Sequence, residues 1–127
     1  NTDALEAVAR SLPALWRAEK VQKKAKKAGF DWPDVSGALD KLSEELEELK
    51  TAVAEGTNVE EELGDLLFSA VNVSRFVKVD TEEALGATDK FIGRFRKVEE
   101  EAARQGRTLE GMSLAELDKL WEHAKET

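Results

Sequence analysis

Apolar residues recur along this chain at three- and four-residue spacing and nowhere alternate with polar ones, so the pattern predicts helices and no strand. Leu39, Leu42, Leu46, Leu49 and Val53 form one such stripe, and Val59, Leu63, Leu66, Leu67, Ala70, Ser74 and Val77 form a second. Each is the mark of a helix face turned to a core. With 8 Gly and 2 Pro in 127 residues, breakers are scarce enough to place helix ends one by one. Residues 3–10 read as a short helical lead-in. Ser11 as N-cap, with Pro13 in the first turn, opens a helix through Leu15, Trp16, Val21 and Ala25 that stops at Gly29. Asp34 or Ser36 caps the next, which runs to about Ala54 and ends at Gly56. Thr57 and Asn58 start a third, with Glu60 and Glu61 as capping-box partners. Asp80 and Glu83 open a fourth, with Ala84, Thr88, Phe91, Phe95, Val98 and Ala102 on its core face and Gly106 at its end. Ser113 and Glu116 box a last helix carrying Leu114, Leu117, Leu120 and Trp121, with Met112 and Leu117 placed as a hydrophobic staple.

The turn between the second and third helices is short, so the two must lie antiparallel. Lys41, Glu45, Glu48 and Ala52 fall on one flank of the first stripe, while Glu44 and Glu47 point elsewhere. Glu62, Asp65, Ser69 and Asn72 lie along the edge of the second. Antiparallel packing therefore brings Glu45, Glu48, Glu62 and Asp65 together beside the seam. Clustered carboxylates raise one another's pKa, and a hard cation removes the conflict. An all-oxygen donor set, in a chain with no Cys and one His, suits Mg²⁺ or Mn²⁺ better than zinc. A single Glu-rich helical run is ordinarily a solvated face; two on adjoining helices are harder to dismiss.

The length is right for one core and short for two. Hydrophobic residues at 41% and charged residues at 36% describe a globular helical protein. The absence of Cys excludes a disulfide framework and thiol chemistry. No apolar run approaches a membrane span, and the expected location is the cytoplasm. A net charge of −8 argues against binding a nucleic-acid polymer.

Cations are nevertheless grouped. Lys20, Lys23, Lys24, Lys26 and Lys27 line the outer face of the first long helix, either as a solvated face or to steer a polyanion. Lys90, Arg94 and Lys97 share one flank of the fourth helix, an array that suits phosphate oxygens and equally suits pairing with neighbouring Glu. Phe30 and Trp32, in the loop before Pro33, are either core anchors or a flat wall for a nucleobase.

The spacing Glu-Glu-x-x-Glu at 44–48 followed by Glu-x-x-Asp at 62–65 resembles the metal-binding signature of the all-α nucleoside triphosphate pyrophosphohydrolases, and within them the MazG family. The likeness extends over nearly the whole chain: Gly29-Phe30-Asp31-Trp32-Pro33, Gly64-Asp65-Leu66-Leu67-Phe68, Val71-Asn72, Lys90-Phe91, Arg94-Phe95-Arg96, Val98-Glu99 and Leu120-Trp121 resemble the family's carboxy-terminal domain. Two departures stand out. The stretch 85–90 is one residue shorter than the family pattern, and Gly93 stands where a basic residue is common.

The resemblance implies an all-α fold of four or five helices packed as antiparallel hairpins into a four-helix-bundle-like core. Residues 1–127 would form a single domain, the carboxy-terminal part of a longer protein that begins before Asn1-Thr2-Asp3, and two copies would associate as a homodimer. The activity implied is hydrolysis of a nucleoside triphosphate to the monophosphate and pyrophosphate. Glu45, Glu48, Glu62 and Asp65 would hold Mg²⁺, with Mn²⁺ as a substitute. Lys41, Lys90 and Arg94 would hold phosphates, Trp32 and Trp121 would contact the nucleoside, Glu61 would play a supporting part towards substrate, and Glu44 is the candidate general base. A narrower nucleotide diphosphatase of the same fold, or a nucleotide-binding or dimerising module without turnover, are the alternatives.

Overall fold

A computed structural model describes residues 5–127. Among them the regular structure is helical, with no strand: α1 (Ala14–Lys27), α2 (Val35–Glu55), α3 (Val59–Phe76), the single turn α4 (Thr81–Ala84), α5 (Ala87–Arg104), a 3₁₀ turn at Leu109–Gly111, and α6 (Leu114–Glu126). The all-α expectation is met. Residues 3 and 4 of the expected lead-in lie outside the described residues, as does Asn1-Thr2-Asp3; Leu5 and Glu6 are helical and the chain then turns. By packing, the described residues divide into two compact units that part between residues 84 and 85.

Helix ends follow the glycines. Gly29 sits at φ +91°, where its N–H donates to the Lys26 carbonyl at 2.8 Å and the N–H of Phe30 to that of Ala25 at 2.9 Å. These are the paired bonds of a Schellman cap, which needs a left-handed residue. Gly106, at φ +68°, ends α5 the same way, through Arg107 N–H to Ala102 at 2.9 Å. Asp34 caps α2 by accepting from the N–H of Ser36.

Three expected starts are corrected. Helix α1 begins at Ala14, with Pro13 itself at the N-cap and no side chain capping it, so Ser11 lies two residues too early. Asn58 precedes α3 in the left-handed region at φ 57°, and its side chain caps nothing. An N-cap side chain reaches the first turn's N–H groups from extended backbone, so this conformation removes the capping box expected with Glu60 and Glu61. Asp80 does accept from the N–H groups of Glu82 and Glu83, but it opens only the one-turn α4. The chain breaks at Leu85-Gly86 and the long helix begins at Ala87.

In the first unit α2 and α3 form an antiparallel hairpin, and α1 packs on α3 and α4. The face that α2 buries is Ala38, Glu45 and Ala52, residues seven apart and hence on one side of the helix. Leu39, Leu46 and Val53 are exposed instead, as are Val59, Leu63, Leu67 and Val77 on α3. Leu42, Leu49, Leu66 and Ala70 of the same stripes are half-buried, so each stripe straddles the edge of the seam instead of filling it. Each apolar face is wider than one partner helix covers, so its outer edge stays in solvent.

A second tie holds the α1–α2 loop to α3. The Arg75 guanidinium donates to both Asp31 carboxylate oxygens, at 3.1 and 2.6 Å. Only 7% of the Arg75 side chain and 13% of that of Asp31 are exposed. The hydrogen bond from Arg75 holds the Asp31 carboxyl below its usual value against the opposing effect of burial.

In the second unit α5 and α6 pack as a hairpin through Val98, Ala102 and Ala124, with Met112 beneath the connection. Ala84 and Thr88, expected on the core face, are exposed, as is Leu114, and Phe91 and Phe95 are more than a third exposed. The capping box at Ser113 and Glu116 forms in full, and Arg107 pairs with the Glu116 carboxylate. The hydrogen bond from Arg107 is the largest of several that hold the Glu116 carboxyl at about 2, against 4.5 in an ordinary glutamate. Because the folded value is the lower one, this stabilisation is complete above pH 4.5 and is lost as pH falls towards 2. Urea unfolding across that window should show Glu116→Gln losing less stability on acidification than the wild type; parallel pH profiles would contradict the pairing.

Candidate metal centre

Glu45 occupies a position where the two flanking residues of the same face are alanines, so its carboxylate enters the α2–α3 seam as a core side chain would. Its side chain is 7% exposed. Lys41, one turn earlier, reaches it at 3.1 Å and reaches Glu44 at 3.3 Å. Those bonds, to Glu45 first and Glu44 second, raise the Lys41 pKa. One carboxylate oxygen is thereby satisfied. The other, Oε2 of Glu45, is buried with no hydrogen-bond partner, and the same holds for Oε2 of Glu62 across the seam.

The surrounding acids complete two overlapping groups. Glu44, Glu45 and Glu48 each bring an oxygen within 4.8 Å of the others, and so do Glu45, Glu62 and Asp65. Glu45 belongs to both. Glu48 has its carboxyl raised, chiefly by repulsion from Glu45, then by desolvation, then by Glu62; it too touches the opposite helix. The four residues expected as ligands therefore fall in two groups joined through Glu45, with Glu48 also beside Glu62. Glu44, expected to point away, turns its carboxylate into the cluster.

These donors fit a divalent cation. A buried unpaired carboxylate oxygen is costly, and here two of them lie among like charges with one ammonium group for relief. Glu45, Glu48, Glu62 and Asp65 could hold the ion, with Glu44 at the edge. Beside the cluster runs an open groove of about 500 Å³ lined by Glu44, Glu48, Thr51, Thr57, Asn58 and Glu62, within the size range of small-molecule sites. Thr51, Thr57 and Asn58 gave no signal in the sequence, because nothing in their spacing marks a groove wall. Glu61 is exposed and lies with Asn58, Glu60, Gly64 and Asp65 around a second hollow, outside both acidic groups.

The remaining candidates are distributed. Trp32, in the first unit, lays its ring over Gly37, where a Cβ would come within 2.9 Å of it; the ring is pinned and still 44% exposed. Lys90, Arg94 and Trp121 belong to the second unit. Trp121 packs on Phe91 with ring centroids 5.0 Å apart, so it serves the α5–α6 hairpin. None of Lys90, Arg94 and Lys97 enters an ion pair among the described residues, which leaves that flank of α5 uncompensated. Among the described residues no helix is long and apolar enough to cross a membrane.

Residues 33–99 match the model of the MazG nucleotide pyrophosphohydrolase domain. This chain belongs to the MazG family. The MazG match spans the whole acidic hairpin and extends into α5. Among curated MazG relatives, the chain is 50% identical over 115 residues to the nucleoside triphosphate pyrophosphohydrolase/pyrophosphatase MazG of Thermotoga maritima, covering 90% of this chain and 45% of that protein. It is 41% identical over 127 residues to the nucleoside triphosphate pyrophosphohydrolase of Escherichia coli K12, covering 96% of this chain and 48% of that one. The uncharacterized protein YabN of Bacillus subtilis is 51% identical over 131 residues, 27% of its length. The chain thus spans about half the length of the first two relatives or less.

A divalent cation should stabilise the isolated protein without any nucleotide, by about 2.7 kcal/mol at a hundred times its dissociation constant. Glu48→Gln should raise the melting temperature in chelator, since it removes a charge that the fold disfavours, and should shrink the gain on adding metal. Thermal melts of both proteins with and without millimolar metal decide this; a wild-type midpoint unmoved by metal contradicts a preformed site.

Proposed function

We propose that the chain hydrolyses a nucleoside triphosphate to the monophosphate and pyrophosphate at the α2–α3 acidic cluster, with Mg²⁺ held by Glu45, Glu48, Glu62 and Asp65. The observation that carries this reading is the pair of buried, unpartnered oxygens on Glu45 and Glu62, facing one another across the seam of a MazG domain. Two of the three relatives named above, those of Thermotoga maritima and Escherichia coli K12, are named nucleoside triphosphate pyrophosphohydrolases.

The cation supplies charge neutralisation for phosphate oxygens and makes water easier to deprotonate. The chain's own groups do the rest. Lys41 is proposed to take phosphate oxygens once Glu44 and Glu45 are engaged, supported by its ion pairs with both carboxylates. Glu44, exposed at the rim of the groove, is the proposed base that accepts a proton from the attacking water. Lys90 and Arg94 are proposed to bind phosphates, supported by their shared, uncompensated flank of α5 and by the resemblance. Trp32 is proposed as the base wall, on its half-exposed ring, and Trp121 as a nucleoside contact on the resemblance alone; Glu61 has only a supporting part. Positioning and charge compensation meet most of what phosphoryl chemistry requires, so no Ser or His nucleophile is called for.

The exposed stripe of Leu39, Leu46 and Val53, with Leu63 and Leu67 on the neighbouring helix, supports a homodimer in which a second copy covers the hairpin and completes the bundle. Contiguous apolar surface of this kind is otherwise a liability in water. The expected location is the cytoplasm.

Product analysis with several triphosphates, with and without Mg²⁺, should find metal-dependent pyrophosphate release. Glu45→Gln should lower kcat by more than about 100-fold, beyond the usual loss from an outer-shell change, while the protein stays folded. Retained activity would contradict the ligand assignment, and metal-dependent binding without turnover would make the domain a binding module. Sedimentation should give at least twice the 14.1 kDa of one chain, and Leu46→Glu should reduce it to one; a wild-type monomer contradicts the shared bundle.

A further inference from the structure

Helix α3 carries a polar group that the acidic cluster does not use. Asn72 lies seven residues after Asp65, two turns along and on nearly the same face, so its Cα is about 10 Å further down the helix axis. Its Oδ1 accepts from Nε of Arg75 at 3.1 Å and from Nη2 at 2.6 Å. Arginine has donors only, so the oxygen of the amide must face Arg75 and the NH₂ must face away. That NH₂ donates to no protein group among the described residues.

Arg75 is itself fixed. Its other donors hold Asp31, in a pair almost closed to solvent. The residue after Asp31 is Trp32, whose ring is pinned over Gly37. One guanidinium therefore ties together the loop bearing the proposed base wall and the helix bearing Glu62 and Asp65. It also sets the orientation of a free donor on α3, between Asp65 and Arg75.

Resting on the function proposed above, we propose that Asn72 is a specificity-determining contact, donating its Nδ2–H to an acceptor on the nucleoside half of the substrate, and that Arg75 and Asp31 are its positioning residues. Trp32, the proposed base wall, follows Asp31, which Arg75 ties to the Asn72 end of α3; a triphosphate with its phosphates at the acids and its base against Trp32 would therefore pass Asn72, leaving the groove at the hairpin turn to the phosphate end. The acceptor is either a base carbonyl or ring nitrogen, or a sugar oxygen.

The clean variant is Asn72→Asp. It keeps an oxygen facing Arg75, so the Asp31–Arg75 pair and the fold survive, and it replaces the donor by an acceptor. Asn72→Ala serves as a second variant without added charge. The measurement is the ratio of two affinities in the presence of Mg²⁺, by calorimetry: for non-hydrolysable α,β-imido nucleoside triphosphates and for inorganic tripolyphosphate, which has no nucleoside. In both variants the ratio should fall about tenfold, with KM for the natural triphosphate rising while kcat stays within a few-fold. Arg75→Lys, which retains the charge and loses the fork, should move the ratio and KM in the same direction. A loss confined to particular bases places the acceptor on the base; a loss uniform across bases and relieved in 2′- or 3′-deoxy analogues places it on the sugar, and either supports the contact. An unchanged ratio in both Asn72 variants overturns the inference and leaves the function standing. A wild-type protein that neither binds nor cleaves any nucleotide overturns the function, and the inference with it.

Discussion

The α2–α3 hairpin is held together in spite of its most buried polar contact. Glu45 sits where a small apolar residue would pack, between Ala38 and Ala52 on the closed face of α2, and meets Glu62 from the other helix. Five carboxylates crowd one place against the single ammonium of Lys41. Removing a charge from water is expensive, and opposite charges recover that expense only when every oxygen is paired. Here two oxygens are not. Apolar packing along the rest of the seam must hold the hairpin closed against that repulsion, and a divalent cation bound there would turn the repulsion into attraction.

This constraint orders the rest of the first unit. The helix ends must be placed so that Glu45 and Glu48 face Glu62 and Asp65, and the tight connection at Gly56 and Asn58, both left-handed, sets that register. The Asp31–Arg75 pair then fastens the aromatic loop to the far half of α3. The second unit contributes a separate hairpin, with a free basic flank on α5 and an aromatic cluster of Phe91, Phe95 and Trp121.

Much of this was legible in the sequence because it is written locally. Glycines after helical runs, Asp34 before one, and the Ser113–Glu116 pair each mark an end through a bond made within a few residues. The acidic cluster was legible for a related reason, since two local spacings and one short turn suffice to bring four side chains together. What was misread depends on tertiary context. Wheel positions identify an apolar arc but not which edge of it a partner covers, so Leu39, Leu46 and Val53 were assigned to the seam that Ala38, Glu45 and Ala52 occupy. The seven-residue spacing of those three was the available clue. Asn58 tolerates the left-handed region, unlike most residues, and so took the chain into α3 without capping it. Arg75 and Asp31 are 44 residues apart, and no local pattern pairs them.

The most direct measurement is a crystal structure of the protein grown with Mn²⁺, located by its anomalous scattering. The predicted result is an ion between α2 and α3 with oxygens of both Glu45 and Glu62 at the short distances of first-sphere ligands. Manganese bound elsewhere, or a filled seam in which Glu45 and Glu62 turn away from each other with no ion between them, would contradict the account.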